Sequence, residues 1–213
     1  DRKLQFSEAG AGTQDLQISR IDCREGVEGE YTEWQRDPVR MIAMRKIQVA
    51  SFAFDVRSGE IHAQGPGRID DWQLAGQRRR LRLDPAAAVT PAAAQVRDDT
   101  PGWEYTRINF AGEMTGNQKD RYVTLHDRVR VMHGPVERAL AVIDRDEFSQ
   151  ETPQAKNSVW IGADTLQVRL VPGEGDAPDT ATVLAKGSAE LQGKVMGARA
   201  DSISYDEAHE MFT

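Results

Sequence analysis

His209-Glu210 has the opening pair of a zinc-protease HExxH helix, in which two histidines hold the metal and the glutamate acts as base. The second histidine would have to stand at Thr213, and no helix is expected there, so the motif is incomplete. His126 and His133 stand seven positions apart in a strand-like run. Alternation sends such a pair to opposite faces, so they cannot share a metal without a bulge. Both read as solvated histidines, and His62 adds nothing sharper. Asp144, Asp146 and Glu147 form one acidic group, and Asp176 and Asp179 another. Paired carboxylates can do acid–base work. They can also hold calcium, but the EF-hand spacing with its central glycine and final glutamate is missing. Solvated loops are the expectation for both groups. Gly65-Pro66-Gly67 precedes no helix and belongs to no dinucleotide or P-loop pattern. Cys23 has no histidine pattern nearby and reads as a buried or incidental thiol. Trp34, Trp72, Trp103 and Trp160 are spread out, without the basic–aromatic interleaving that stacks nucleic acid. These residues assemble no nucleophile, base and stabiliser. A non-catalytic protein without cofactor or metal is therefore expected. A carboxylate-based hydrolase is the enzyme reading that the residue types leave open.

Composition narrows the class further. The net charge of −7 argues against non-specific nucleic-acid binding, which works by neutralising phosphates. A local basic patch at Arg78, Arg79, Arg80 and Arg82 is compatible with it. Charged residues make up 29% of the chain with both signs mixed, which implies a well-solvated surface. With 213 residues the chain can bury a core without metals or disulfides. The single cysteine cannot form an internal bridge and does not report on redox compartment. No run is apolar and long enough for a membrane-spanning helix. The sequence opens at Asp1 and stops at Thr213 straight after a strand-like run, so a piece of a longer protein is expected.

The elements that would position any site follow from an internal repeat. In Ile47-Gln-Val49-Ala-Ser-Phe52-Ala-Phe54 apolar residues alternate, and the phase slips by one between Val49 and Phe52. Ile161-Gly-Ala163-Asp-Thr-Leu166-Gln-Val168 has the same pattern and slip, as does Ala198-Arg-Ala200-Asp-Ser-Ile203-Ser-Tyr205. Alternation marks a strand with one buried face. A slip at a fixed place marks a bulge or sharp bend. A second element reads apolar-x-Ala-x-Gly-x-small-x-apolar, once over Ile61–Ile69 and once over Val183–Leu191. From Ile47 to Ile161 is 114 positions, and from Ile61 to Val183 is 122. The difference of 8 is the length of Gly173–Thr180, a polar Gly/Pro segment that reads as a lengthened hairpin loop beside the short Arg57-Ser58-Gly59 turn of the first copy. Gly65 and Gly187 recur inside strands and mark corners.

Between the copies, Asp84 to Thr100 is rich in proline and alanine and reads as an exposed loop. Strand patterns resume at Thr106–Phe110 and Tyr122–Met132, and Pro135 to Ile143 fits a strand or a short helix. No long amphipathic helix is visible. The expected fold is all-β, a single domain over 1–213 of antiparallel sheets that curl or pack in two layers. The inward face of the repeat would carry Ile47, Val49, Phe52, Phe54, Ile61, Ile161, Leu166, Val168, Ile203 and Tyr205. Those residues form either a closed core or an apolar groove able to hold acyl chains.

Three stretches carry a family resemblance: Ile161-Gly-Ala-Asp164 with Leu166, Val183-Leu-Ala-Lys-Gly187, and Ala198-Arg-Ala-Asp-Ser-Ile-Ser-Tyr-Asp206. The chain resembles the OstA-like family of lipopolysaccharide-transport proteins, which includes the periplasmic LptA type and the N-terminal domain of the LptD type. The match covers Lys46–Ile69 and Val159–Thr213 best. The resemblance implies a bent β-jellyroll, or β-taco, with a role in outer-membrane biogenesis and a location in the periplasm or cell envelope. It also implies an interior apolar groove for lipid acyl chains, so the ten inward residues become lipid-groove candidates. The implied partners are lipid or lipopolysaccharide, and other envelope jellyrolls or copies of itself joined through edge strands. The alternative is a structural or assembly module with a filled core that associates through its sheet edges.

Overall fold

The computed structural model describes residues 18–75, 102–143, 157–173, 179–193, 196–206, 208–209 and 211–213. Arg78 to Arg82, the Pro/Ala-rich Asp84–Thr100 segment, Asp144, Asp146, Glu147, Asp176 and Glu210 lie outside them. The described residues form one large antiparallel sheet, not closed into a barrel, and contain no helix. Long strands run up and down across a common crease. Four of them are broken there: β1 (Arg20–Cys23) with β2 (Val27–Arg36), β3 (Val39–Val49) with β4 (Ser51–Asp55), β5 (Glu60–Gln64) with β6 (Gly67–Leu74), and β7 (Trp103–Phe110) with β8 (Glu113–Asn117). Four more cross it unbroken: β9 (Tyr122–Val136), β10 (Val159–Val171), β11 (Thr180–Gln192) and β12 (Gly197–Asp206). The two-residue β13 (Met211–Phe212) lies beside the end of β12. On one side of the crease, the first limb, the order is β1-β4-β5-β8-β9-β10-β11-β12-β13. On the other, the second limb, β2-β3-β6-β7 lead into the far half of β9 and on across β10 to β12.

The crease is a line of backbone irregularities held by hydrogen bonds. Gly26 N donates to Ala50 O (2.8 Å), Ala50 N to Gln64 O (2.9 Å), and Ala111 N to Asp127 O (2.8 Å). Three of the four strands running from the first limb to the second turn with paired left-handed residues: Glu25-Gly26 (φ 67° and 80°), Asp127-Arg128 (63° and 51°) and Gly187-Ser188 (77° and 46°); the fourth, β5 to β6, turns at Gly65-Pro66. Three strands running back spend one residue at the corner, Ala50, Asp164 or Asp201, while β7 to β8 spends two, Ala111 and Gly112. Lys186 pairs with Ser202 and Ala189 with Ala200, so Gly187 and Ser188 together face Asp201 alone. Two residues against one is a bulge, and a bulge bends the strand. The phase slip read at Ala50, Asp164 and Asp201 is this corner. The corner glycines read from the repeat lie on it too, Gly65 between β5 and β6 and Gly187 within β11.

Gly187 is needed twice over. Its φ is left-handed, and a Cβ there would collide with the Asp164 carboxylate. Gly187→Ala is expected to lower the unfolding free energy by roughly 1–2 kcal/mol, read as a fall in the urea midpoint. Gly193→Ala, where a Cβ would meet nothing closer than 3.8 Å, serves as the mild comparison.

The three strand copies occupy equivalent places. Ile47, Ile69, Ile108, Val131, Ile161, Leu191 and Ala198 are successive cross-strand partners in the second limb. Phe52, Ala63, Met114, Leu125, Leu166, Ala185 and Ile203 form the matching row in the first limb. Both rows belong to one hydrophobic core, so the sheet buries its inner face across the crease. A fully buried Leu or Val contributes roughly 1.5–3 kcal/mol, and such residues repeat on every central strand.

Hairpins also follow the sequence reading. Asp55 Oδ1 accepts the Arg57 and Ser58 amides, both at 2.8 Å, in the short turn. Val171 pairs with Thr180 at the base of the longer one. Pro135 to Ile143 is resolved as the end of β9 followed by turns, not a helix. Its strand portion stops at Val136, where pairing with Trp103 ends.

Candidate functional site

All ten groove candidates lie on the inner face or at its rim. Val49, Ile161, Leu166, Val168 and Tyr205 are buried, while Ile47, Phe52, Phe54, Ile61 and Ile203 are half-buried. The division is spatial. Ala63, Ile108, Leu125 and Leu166 at the centre of the meander have no exposed surface. Half-buried residues gather toward β1–β5 at one end and toward β12–β13 at the other, where the Tyr205 and Phe212 rings pack tilted, with centroids 4.6 Å apart. Cys23 belongs to the first of these ends, paired with Phe52, and is a half-buried free thiol.

The next row of the second limb is polar although it faces inward. Arg45, Asp71, Thr106 and His133 are successive cross-strand partners. Arg45 grips Asp71 Oδ1 through Nη2 (2.8 Å) and Nε (3.1 Å), and Gln73 Nε2 donates to Oδ2 (2.8 Å). Burial pushes the Asp71 carboxyl up, against the pull of Arg45 and Gln73. The Thr106 hydroxyl meets His133 Nδ1 at 2.9 Å. His133 is therefore not solvated as its sequence context suggested. The odd spacing places it inward while His126 faces out, and the Thr106 hydroxyl partners its ring.

The outer face of the same limb carries a second, separate cluster. Met44, Trp72, Tyr105, Met132, Val136 and Ile143 are buried there, with Trp103 and Trp160 packed against them. Three of the four tryptophans thus converge, although they are far apart in sequence. Trp72 stacks on Tyr105 at 5.2 Å and donates Nε1–H to Ala141 O (2.7 Å). Beside them Asp70 accepts from Tyr105 Oη, from Arg107 Nε (2.8 Å) and from Arg68 Nε (2.6 Å). Arg107 also lies over the Tyr105 ring, 5.5 Å from its centre. Burial pushes the Asp70 carboxyl up, but the three donors outweigh it and hold it below the ordinary 3.8. Burial and the Asp70 charge push the Tyr105 phenol well above its ordinary 10.0. Among the described residues no buried side-chain nitrogen or oxygen lacks a partner, as native interiors require.

This arrangement has a pH signature. A carboxyl whose folded pKa is depressed contributes stability above its unfolded value and loses it as pH falls through the folded value. Asp70 is the most buried such group, and Asp55 and Asp206 add in the same direction. Asp71, shifted up, acts with the opposite sign. Urea midpoints are expected to hold between pH 7 and 5 and to fall below about pH 4, with the fall smaller in Asp70→Asn.

The remaining candidates stay apart. His62 pairs with Glu113 (3.3 Å) and His209 with Asp206 (2.8 Å), both at the surface. Asp179 was expected in a solvated loop. Instead it accepts from Arg121 Nη1 (2.8 Å) and the Gly173 amide (3.2 Å), fastening the β10–β11 hairpin. Among the described residues no three His, Cys, Asp or Glu side chains gather as a metal site.

The fold defines a class: an all-β protein made of one creased antiparallel sheet whose inner face is its core. Comparison with protein-family models, curated proteins and solved structures finds no match to this chain.

Proposed function

We propose that the chain is a non-catalytic module of the cell envelope that holds lipid acyl chains, such as those of lipopolysaccharide, against the inner face of its creased sheet. The supporting observation is the continuous apolar inner face, which runs through every long strand and is half-buried at both ends. An acyl chain needs an apolar surface with a polar border. Phe52, Phe54, Ile61 and Ile47 offer the surface, and Arg45, the half-buried member of the polar row beside Ile47, offers a polar border. Lipid would enter by parting the half-buried ends rather than the closed centre. Among the described residues β2 and the 197–203 part of β12 have a neighbouring strand on one side only, and such edges give the module a means of joining other jellyrolls or its own copies by strand addition. A fluorescent acyl probe should bind the folded protein saturably and be displaced by lipopolysaccharide. A folded sample that leaves the probe unbound would refute the reading.

One observation favours the second reading, an assembly module with a filled core. Residues from both limbs close the centre completely. That reading expects end-to-end oligomers that grow with concentration, and no probe binding.

A further inference from the structure

The outer side of the crease, opposite the apolar face, carries a shallow depression of about 200 Å³ lined by Pro66, Asn109, Phe110, Ala111, Arg128 and Arg130. Among the described residues no carboxylate lines it. Asn109 is the cross-strand partner of Arg130 on one side and of Arg68 on the other. Three outward donors therefore stand in one row at antiparallel strand spacing, about 5 Å apart. Arg68 commits its Nε to Asp70, but the side chains of Arg128 and Arg130 have no hydrogen-bond or ion-pair partner among the described residues. The nearest chain carboxylate in sequence, Asp127, is turned onto the Gly112 backbone, where a Cβ would collide with it. An adjoining depression of about 280 Å³ shares Arg128 and Arg130 and is bordered by Asp164 and Glu190, of which Glu190 is taken up by Arg199 (2.7 Å).

Two exposed guanidinium groups two residues apart on one strand repel each other. In a chain of net charge −7, nearby carboxylates would ordinarily neutralise them. Here they are left unpaired beside an amide donor, in a concavity also lined by Pro66, Phe110 and Ala111. Guanidinium forks match the oxygens of a tetrahedral dianion, and two of them supply the two charges it needs.

We propose that this depression is a binding site for a phosphate monoester group, held by Arg128, Arg130 and Asn109. The phosphate can belong to a lipid headgroup or to a soluble compound, and the test separates them. Inorganic phosphate is titrated into the full chain by calorimetry at low salt. Flotation with phosphatidylcholine vesicles, with and without phosphatidic acid, is run alongside. Saturable phosphate binding is expected. It should weaken roughly tenfold in Arg130→Gln and vanish in Arg128→Gln/Arg130→Gln. It should be unchanged in Arg169→Gln, an exposed arginine of the first limb. Circular dichroism confirms that each variant is folded. Phosphate binding with flotation on phosphatidic acid assigns the site to a headgroup, and phosphate binding without flotation assigns it to a soluble phosphate. The proposal is overturned if phosphate does not saturate, if Arg169→Gln weakens it equally, or if vesicles bind while phosphate does not. In the last two cases diffuse charge, not a phosphate site, is what acts.

Discussion

Asp70→Asn is expected to lower the unfolding free energy at pH 7 by about 3 kcal/mol, because it removes the charge that two guanidinium groups and a phenol are built around. The asparagine keeps one acceptor oxygen. It cannot serve Tyr105, Arg107 and Arg68 together, and it turns a donor toward groups that are themselves donors. Arg107 is the more enclosed of the two arginines, with 19% of its side chain exposed against 42% for Arg68. The loss should therefore come mainly through Arg107. Urea titration at pH 7 measures it. Repeating the titration at pH 3 should bring wild type and variant closer, since protonation disables the wild-type carboxyl in the same way. A double-mutant cycle with Tyr105→Phe should show coupling, because both residues share one network. A loss under 1 kcal/mol, roughly what an exposed pair contributes, would mean that solvent carries the charge.

Leu166→Ala is expected to cost about 3 kcal/mol, because Leu166 has no exposed surface and sits on β10 between Leu125 and Ala185. The neighbouring rows are backbone-fixed on both sides, so the cavity cannot collapse. Phe52→Ala removes a larger side chain but from a half-buried place at the end of the same row. It should cost roughly half as much as loss of a fully buried ring. The order Leu166 before Phe52 is what a sheet closed at its centre and looser at its ends requires. The reverse order would place the weak region in the middle.

The creased strand was legible because its cause is local. A one-residue slip in alternation at Ala50, Asp164 and Asp201 appears directly in the pattern, and Gly187 is required by its own φ. The rows that place Ile47, Ile161 and Ala198 at equivalent positions follow from that repeat. The first strands were harder to read. Val27–Arg36 mixes Glu28, Glu30 and Glu33 with Val27, Tyr31 and Trp34, because as an edge strand it has solvent beside it. Asp70 and Asp71 were missed for a different reason. Carboxylates read as surface residues, and what allows their burial lies 35 and 37 positions away at Tyr105 and Arg107, or 26 away at Arg45. Hydrophobic flanks at Ile69 and Trp72 were the available signal, since two acids between two large apolar residues in one strand cannot both face water. The convergence of Trp72, Trp103 and Trp160 depends on the pairing of β6, β7, β9 and β10, which no local pattern announces.

The central claim is that acyl chains contact the inner face at its half-buried ends. A photo-crosslinking residue placed at Phe52, with a second variant at the outward-facing His62, tests it against lipopolysaccharide. The account predicts a crosslink at position 52 and none at 62. Labelling of both positions alike, or of neither while the protein remains folded, would contradict it.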